Sequence, residues 1–228
     1  ADSSGEAFYI RDEFTGEYWS PTALPVQGPG SFTTRHGFGY SIFEHDREAI
    51  HSTLTTFVAL DAPIKYSVIK LRNDSTVPRK LSVTGYVEWV LGDLRSKSAM
   101  HVVTEQDPQS GALFARNAYN TEFSGRVGFF QVEAQSRTFT ADRNEFLGRN
   151  RSLANPAAML RARLSGKLGA ALDPCAAIQV QIELQPGQVG KGGIVRDEAM
   201  YAVVEKRLRD ACEALGLRVL QWFDSPIA

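Results

Sequence analysis

The 228-residue chain has little of what marks several classes of protein. Its two cysteines, Cys175 and Cys212, lie in segments of different character, so a structural disulfide is not expected and a reducing compartment is the default. The four histidines are scattered and show no metal-ligand spacing with the cysteines. The sequence therefore predicts neither a metal site nor a cofactor.

Charge and long apolar runs are also scarce. The formal net charge is −1, which does not indicate a surface for nucleic acid. No apolar run approaches the length of a membrane-spanning helix, and the first residues do not resemble a signal peptide, so a cytoplasmic location is expected. The chain begins Ala1-Asp2-Ser3-Ser4 without Met, which indicates a processed chain or a piece of a longer one.

Alternation of apolar and polar residues is the clearest structural pattern in the chain. Period-2 alternation predicts a β-strand with one buried face. The best example is residues 81–91, where the apolar positions are Leu81, Val83, Val87, Trp89 and Leu91, with Gly85 at one inward position. Residues 64–72 precede it as a hairpin partner, and residues 178–184 form a third clean strand before the turn Pro186-Gly187.

The rest of the first 188 residues fits the same pattern more weakly. Hydrophobic residues make up 43% of the chain, which is enough for a sizeable core. Further strands are expected at residues 7–11, 37–44, 50–59, 112–117, 129–134 and 159–164, and turn-rich loops at 21–30, 107–111 and 141–156. Many strands with little helical periodicity predict a mainly β protein, an antiparallel β-sandwich over residues 1–188.

The pattern changes in residues 189–228. Asp197 is a candidate N-cap, and Gly216 is a candidate residue just beyond a helix end. Between them apolar residues recur at helical spacing: Met200, Val203, Val204, Leu208, Ala211 and Leu215. A short apolar strand is expected at 217–223. This second segment is predicted to be a loop–helix–strand appendage, preceded by a flexible connector at residues 190–193.

Two groups of residues are candidates for binding a carbohydrate. Arg35 and His36 carry hydrogen-bonding groups suited to sugar hydroxyls, and Tyr40 is suited to stacking on a pyranose ring, as is Phe38 beside it. Tyr18 and Trp19 form a second aromatic pair. The alternative for the first group, which the residues favour, is a glycine-bent strand whose aromatic residues pack inward. The alternative for the second group is a plug in the core.

Catalytic residues are not indicated by any pattern. Carboxylates are plentiful, but Asp12, Glu13, Glu17 and Glu88 form no convincing pair and are expected on solvated strand faces. The serines show no Gly-x-Ser-x-Gly elbow, so a hydrolase triad has no support.

Several motifs occur in order between residues 5 and 188. They are Tyr9-Ile10-Arg11-Asp12, Thr15-Gly16-Glu17-Tyr18-Trp19-Ser20-Pro21-Thr22, Arg35-His36-Gly37-Phe38-Gly39-Tyr40, Leu71-Arg72-Asn73, Tyr86-Val87-Glu88-Trp89-Val90-Leu91-Gly92, Glu145-Phe146-Leu147-Gly148-Arg149-Asn150 and Leu172-Asp173-Pro174-Cys175-Ala176-Ala177. Together they resemble the sandwich domain of glycoside hydrolase family 94, formerly glycosyltransferase family 36, and the similarity is greatest to the phosphorylase-like part of cyclic β-1,2-glucan synthases.

This resemblance implies a supersandwich-like fold that packs against an (α/α)6 barrel carrying the general acid and the phosphate site. No barrel is present in the chain, so the implied role is non-catalytic: glucan binding, or a scaffold for the absent barrel. It also implies an incomplete sandwich, lacking its first strands and its last, and association with the inner membrane through the parent enzyme.

Residues 189–227 resemble the C-terminal part of hemolysin A-type (TlyA-like) ribosomal RNA methyltransferases. The resemblance rests on Val189-Gly190-Lys191-Gly192-Gly193-Ile194-Val195-Arg196-Asp197, Ala214-Leu215-Gly216-Leu217-Arg218-Val219-Leu220 and Asp224-Ser225-Pro226-Ile227. The cofactor-binding front of that family is absent, so methyltransferase activity is not implied. A fusion of two incomplete domains is expected.

Three functions therefore compete. The first is a carbohydrate-associated sandwich whose partners are a glucan or oligosaccharide and a catalytic barrel. The second is an interaction or scaffold module without a ligand, and the third is a methyltransferase-derived fragment by way of the tail. No nucleic-acid partner is expected, no activity is expected of the chain alone, and a homodimer is left open.

Overall fold

The computed structural model describes residues 5–59, 63–122, 124–132, 134, 136–192 and 218–219. These residues are mainly strands, with two very short α-helices, α1 (Arg95–Ser98) and α2 (Arg143–Leu147). In chain order the strands are β1 (Glu6–Asp12), β2 (Tyr18–Trp19), β3 (Phe32–Gly37), β4 (Tyr40–Arg47), β5 (Ile50–Val58), β6 (Lys65–Asn73), β7 (Arg79–Glu88), β8 (Val103–Gln106), β9 (Leu113–Arg116), β10 (Arg126–Phe130), β11 (Arg137–Asp142), β12 (Pro174–Leu184), β13 (Val189–Gly192) and β14 (Arg218–Val219). The prediction of a mainly β sandwich is confirmed.

The strands form three sheets. The first sheet has the order β11-β12-β7-β1-β2, the second β13-β6-β5-β4-β3, and the third β14-β10-β9-β8. Neighbouring strands are antiparallel throughout, except for the two-residue β14, which runs parallel to β10. No helix in the described part of the chain is long and apolar enough to cross a membrane.

The main core lies between the first sheet and the other two. Its residues come from all three sheets, and the central ones are Ile10, Trp19, Leu54, Ile69, Leu71, Leu81, Val83, Leu113, Ala115, Ile178 and Val180. Burial of each large apolar side chain is worth roughly 1.5–3 kcal/mol. This core is the buried face that the period-2 alternation predicts for residues 81–91 and 178–184.

A second, smaller core covers the opposite face of the first sheet. Residues 143–164, called the covering segment below, pack Phe146, Leu147, Met159 and Leu164 against Tyr9 and Tyr86 of the sheet, with Ala7, Ala158, Cys175 and Ala177 completing the cluster. The Tyr86 and Phe146 rings stack at 4.4 Å. The first sheet is therefore buried on both faces.

This double burial corrects the expectation of one buried face for residues 81–91. Ser82, Thr84 and Tyr86, on the polar side of the alternation, are buried as fully as the apolar positions. Tyr86 is amphipathic and satisfies its hydroxyl by donating to Glu88 at 2.8 Å. β7 therefore shows the alternation typical of a strand with one buried face, although both of its faces are buried.

Five strands, β2, β3, β8, β11 and β13, were not predicted, and one predicted strand is wrong. Residues 157–160 form a single 3₁₀ turn in the covering segment, where residues 159–164 were expected to be a strand. The loop predicted at 141–156 contains α2, which Asp142 caps by accepting a hydrogen bond from the amide of Asn144 at 3.0 Å.

The second sheet continues past the turn Pro186-Gly187 into β13. Val189 pairs with Arg72 there, and Gly190 pairs with Leu71. The flexible connector expected from residue 190 onward is therefore wrong as far as Gly192. The domain boundary at 188 stays a prediction, and the helix expected after Asp197 lies outside the described residues.

Candidate functional site

The hairpin formed by β3 and β4 carries three of the five candidate residues. The strands are joined by the two residues Phe38-Gly39, and Gly39 has φ +78°, a left-handed conformation that glycine adopts without strain. Arg35, His36 and Phe38 are exposed, and Tyr40 keeps 46% of its surface exposed. Residues 35–40 are called the hairpin end below.

The side chains of the hairpin end are held by contacts within the hairpin. Arg35 Nη1 lies 2.6 Å from Glu44 Oε2, and His36 Nδ1 lies 2.9 Å from Ser41 Oγ. The Tyr40 ring lies over Gly37, since a Cβ there would be only 2.3 Å from Tyr40 Cζ. The side chains of Arg35, His36 and Tyr40 thus have defined contacts within the hairpin and are still exposed to solvent.

This arrangement contradicts the alternative in which the aromatic residues of the hairpin pack inward. Phe38 is fully exposed and Tyr40 is nearly half exposed. The exposed set combines a guanidinium, an imidazole and two aromatic rings, which are the groups suited to hydrogen-bonding and stacking with a sugar ring.

Tyr18 and Trp19 lie elsewhere in the molecule. Trp19 is buried in the main core, where the guanidinium of Arg47 lies 5.7 Å from its ring centroid. Tyr18 is half-buried against the second core. Tyr40 begins β4 and Arg47 ends it, so the Cα atoms of these two residues lie roughly 23 Å apart. Trp19, beside Arg47, is therefore distant from the hairpin end.

The five candidate residues therefore do not converge on one site. Arg35, His36 and Tyr40 share the hairpin end, whereas Trp19 is a core plug, the alternative that the sequence left open for it. A large aromatic residue just before a proline-rich loop can either stack on a sugar or pack in the core. The sequence position of Trp19 does not distinguish these two roles.

Four charged residues form a network at the edge of the second core. Glu88 Oε1 accepts from Arg143 Nε at 2.8 Å, and Glu88 Oε2 lies 3.4 Å from Arg95 Nε. Asp173 pairs with both arginines, at 3.3 Å from Arg143 and at shorter range from Arg95. The network ties together β7, α1, α2 and the start of β12.

The expectation that Glu88 lies on a solvated face is wrong, since only 8% of its surface is exposed. Burial alone would lower the pKa of Arg143, but the hydrogen bond and charge of Glu88 raise it above its ordinary value. Glu88 and Asp173 each pair with both Arg95 and Arg143.

Asp12 is likewise buried, and not on a solvated face. It accepts from the amides of Phe14 and Thr15 at 2.8 and 3.0 Å, and from Arg79 Nε at 2.8 Å. Burial alone would raise the pKa of Asp12, but these amides and Arg79 hold it below its ordinary value. The carboxylate closes the turn between β1 and β2.

A third buried carboxylate, Glu145, was not singled out from the sequence as a functional group. Its oxygens accept from Thr140 Oγ1 at 2.6 Å, from the Ser165 amide at 3.1 Å and from Arg161 at 3.3 Å. The motif that contains Glu145 was recognised, but its partners lie up to 20 residues away and form no local pattern.

The buried carboxylates therefore all have structural partners in the described part of the chain. Opposed carboxylates free to act on a glycosidic bond would have to be exposed to a cleft. The hairpin end is an exposed surface whose groups are suited to contact with a carbohydrate.

The chain is similar to known proteins over most of its length. The family model described as "Glycosyl hydrolase 94, supersandwich domain" matches residues 1–192. The cyclic beta-(1,2)-glucan synthase NdvB of Rhizobium meliloti (strain 1021) is 38% identical over 190 residues, which are 80% of this chain and 6% of the synthase.

Two phosphorylases are also similar. The N,N'-diacetylchitobiose phosphorylase of Vibrio furnissii is 32% identical over 88% of this chain and 27% of its own length. The solabiose phosphorylase of Paenibacillus borealis is 27% identical over 79% of this chain and 24% of its own length. The chain spans less than a third of each of these relatives. By the match of its first 192 residues, the chain belongs to the supersandwich domain family of glycoside hydrolase family 94.

Proposed function

We propose that this chain is the non-catalytic supersandwich part of a β-glucan synthase- or phosphorylase-type enzyme, and that its hairpin end contacts a glucan chain. The observation that carries the proposal is the exposure of Arg35, His36 and Tyr40 on one ordered hairpin. A catalytic (α/α)6 domain supplies the chemistry in the parent enzyme, and this chain alone is inactive.

The names of the relatives support the substrate class. One is a cyclic β-(1,2)-glucan synthase and others are phosphorylases named for disaccharides, so a carbohydrate is the common ligand. The synthase has the highest identity among those reported, which favours β-1,2-linked glucose for this chain. A cytoplasmic location, with inner-membrane association through the parent enzyme, is part of the same proposal.

Isothermal titration with β-1,2-glucooligosaccharides tests the proposal directly. We expect weak binding, and we expect Tyr40→Ala to weaken it about tenfold, which corresponds to ~1.4 kcal/mol. Tyr119→Ala is the matched control, because Tyr119 is an exposed tyrosine in a different loop. No heat at millimolar ligand, or an equal effect of both variants, contradicts glucan binding at the hairpin end.

A scaffold without its own ligand is the second candidate, and the core position of Trp19 favours it. With Trp19 buried and Tyr18 half-buried, the chain offers a smaller sugar surface than five converging residues would. This function predicts no glucan binding, and stabilisation of a separately expressed catalytic domain when the two are mixed. A melting temperature of that domain unchanged by mixing contradicts the scaffold function.

The methyltransferase-derived alternative rests on residues 189–227, most of which lie outside the described part of the chain. We expect a radiolabelled methyl-transfer assay and a phosphate-release assay to be blank. Turnover that is lost on a point substitution in this chain contradicts the non-catalytic proposal.

A further inference from the structure

Four polar side chains lie side by side on the face of the first sheet that packs against the covering segment. Arg11 of β1 pairs across the strands with Ser82 of β7, and Thr84, two residues further along β7, pairs with Gln179 of β12. Directly paired residues share a face of the sheet, with Cα atoms about 4.5–5.5 Å apart. The four residues, called the donor cluster below, therefore occupy two neighbouring rows of one face.

The end of the covering segment, residues 161–164, crosses above the donor cluster. The carbonyl of Arg161 accepts from Arg11 Nη1 at 2.9 Å, and the amide of Leu164 donates to Thr138 Oγ1 at 3.2 Å, so this stretch runs from β1 to β11. The cluster members on β7 and β12 keep 3% or less of their surface exposed. The polar atoms of the cluster are thus shielded from bulk solvent.

Each member of the donor cluster has a buried polar atom without a hydrogen-bond partner among the described residues. These atoms are Arg11 Nε, Ser82 Oγ, Thr84 Oγ1 and Gln179 Nε2. The Thr138 hydroxyl fixes the orientation of the Gln179 amide: it accepts from the Leu164 amide, so its own hydrogen is donated to Gln179 Oε1 at 3.3 Å. The Nε2 end of that amide is left with both of its hydrogens unpaired.

The unpaired groups of the donor cluster are mainly hydrogen donors. Arg11 Nε has one hydrogen, Gln179 Nε2 has two, and each hydroxyl has one. Buried polar groups in proteins are almost always hydrogen-bonded, so the cluster requires acceptors. A water molecule accepts about two hydrogen bonds and brings hydrogens that themselves need acceptors. An anion accepts from several sides and donates none, so it matches this set better.

The charges around the donor cluster also favour an anion. Two ion pairs are balanced: Glu13 Oε1 lies 3.5 Å from Arg11 Nη1, and Glu145 Oε1 lies 3.3 Å from Arg161 Nη1. Arg163, in the stretch that crosses the cluster, has no anionic partner within the described ranges. These surroundings therefore carry one positive charge in excess, which a monovalent anion neutralises.

We propose that the donor cluster binds a single halide ion, chloride being the common one, between the first sheet and the covering segment. The Arg11 guanidinium supplies the charge, and the Gln179 amide and the two hydroxyls supply further hydrogen bonds. Because the cluster is enclosed, the ligand is a small ion and not phosphate or an organic anion. The ion links β1, β7 and β12 to the covering segment, and the inference does not depend on glucan binding.

Bromide tests the position of the ion. A crystal of the chain soaked in sodium bromide and measured at the bromine absorption edge should show an anomalous peak within hydrogen-bonding distance of Arg11 Nε and of both hydroxyls. Peaks at the surface with none at the donor cluster mean an adventitious ion only and overturn the proposal. An ordered water molecule at this position, without anomalous signal, overturns it as well.

Thermal unfolding tests whether the ion stabilises the fold. Replacing sodium gluconate by sodium chloride at constant ionic strength should raise the melting temperature of the wild type about 3–5 °C more than that of Thr84→Val, as for a ligand at roughly ten times its dissociation constant. Thr84→Val keeps the shape of the side chain and removes the hydroxyl. Ser82→Ala should lose the same response, so one variant decides the matter if the other does not fold.

Ser52→Ala is the matched control. It removes a buried hydroxyl of β5, outside the donor cluster, that donates to the His45 carbonyl at 2.9 Å. This variant should be less stable than the wild type and should still respond fully to chloride. Equal chloride responses in the wild type, Thr84→Val and Ser82→Ala overturn the proposal, and so does a loss of the response in Ser52→Ala.

Discussion

Arg143 donates from Nε to Oε1 of Glu88 at 2.8 Å, and this bond ties the first turn of α2 to the last residue of β7. The two residues lie 55 positions apart in the chain. Tyr86 donates to the same oxygen at 2.8 Å, so Glu88 is both the acceptor of a core tyrosine and the counter-ion of a half-exposed arginine. The covering segment is thereby anchored at its start by charge and along its length by apolar packing.

Glu88→Gln should destabilise the fold by about 1–3 kcal/mol. The substitution keeps an acceptor for Tyr86, but among the described residues it leaves Arg95 and Arg143 with Asp173 as their only anionic partner. Urea denaturation measures the change. Glu44→Gln is the control: it breaks an exposed pair with Arg35 and should change the free energy of unfolding by less than ~1 kcal/mol. Equal effects of both variants contradict a structural role for the network.

Asp12→Asn should lower stability at neutral pH by about 1–3 kcal/mol, because the charged hydrogen bonds to Arg79 are lost. The pKa of Asp12 is depressed in the folded state, so its contribution is fully present above the unfolded value of about 3.9 and is lost as pH falls through the folded value. The stability difference between wild type and variant should therefore be constant above pH ~5 and shrink below ~4. Chemical denaturation at several pH values measures it, and a constant difference down to pH ~2 contradicts this account.

Gly85→Ala should destabilise the sandwich by about 1–3 kcal/mol through overpacking. A Cβ at this position in β7 would lie 2.8 Å from Cζ of Phe130 and 3.2 Å from Cε1 of Phe8. Gly125→Ala is the control, since no atom lies within 4 Å of a Cβ there. Thermal unfolding of both variants separates the two positions, and a neutral Gly85→Ala shows that the rings can move aside.

Cys175 should be unreactive in the folded protein. Its side chain is fully buried in the second core, and burial raises the pKa of its thiol well above the ordinary value. In a Cys212→Ser background, a chromogenic disulfide reagent should therefore detect no thiol until denaturant is added. Rapid labelling without denaturant contradicts the burial of β12 beneath the covering segment.

The parts of the fold that the sequence predicts best are the long strands with clear period-2 alternation. Residues 178–184 alternate and lie within β12, which begins at Pro174, and residues 64–72 match β6 to within one residue. The expected hairpin between residues 64–72 and 81–91 is wrong, because β6 pairs with β5 and β13 in the second sheet and β7 pairs with β1 and β12 in the first. β3 was missed because its residues are exposed on both faces and show no alternation. Residues 159–164 were assigned to a strand because their apolar positions mimic one, whereas they pack onto the sheet from outside it.

The candidate site was predictable in its chemistry and only partly in its geometry. Arg35, His36 and Tyr40 lie within six residues, and a hairpin keeps such neighbours together. Tyr18 and Trp19 are distant in sequence from Arg35, His36 and Tyr40, so a local hairpin does not bring them together. The pairing of β1 with β2 places Trp19 opposite Ile10, in the core.

Local patterns in the sequence were enough to determine the mainly β class, the long strands β1, β4, β5, β6, β7 and β12, and the family to which the chain belongs. Only the tertiary structure decided that the polar face of β7 is buried and that Glu88 and Asp173 share two arginines. The physical reason is that alternation reports one contact face of a strand. What covers the opposite face, and which strand edges are covered, depends on segments that are distant in the chain, such as the covering segment that begins 55 residues beyond Glu88.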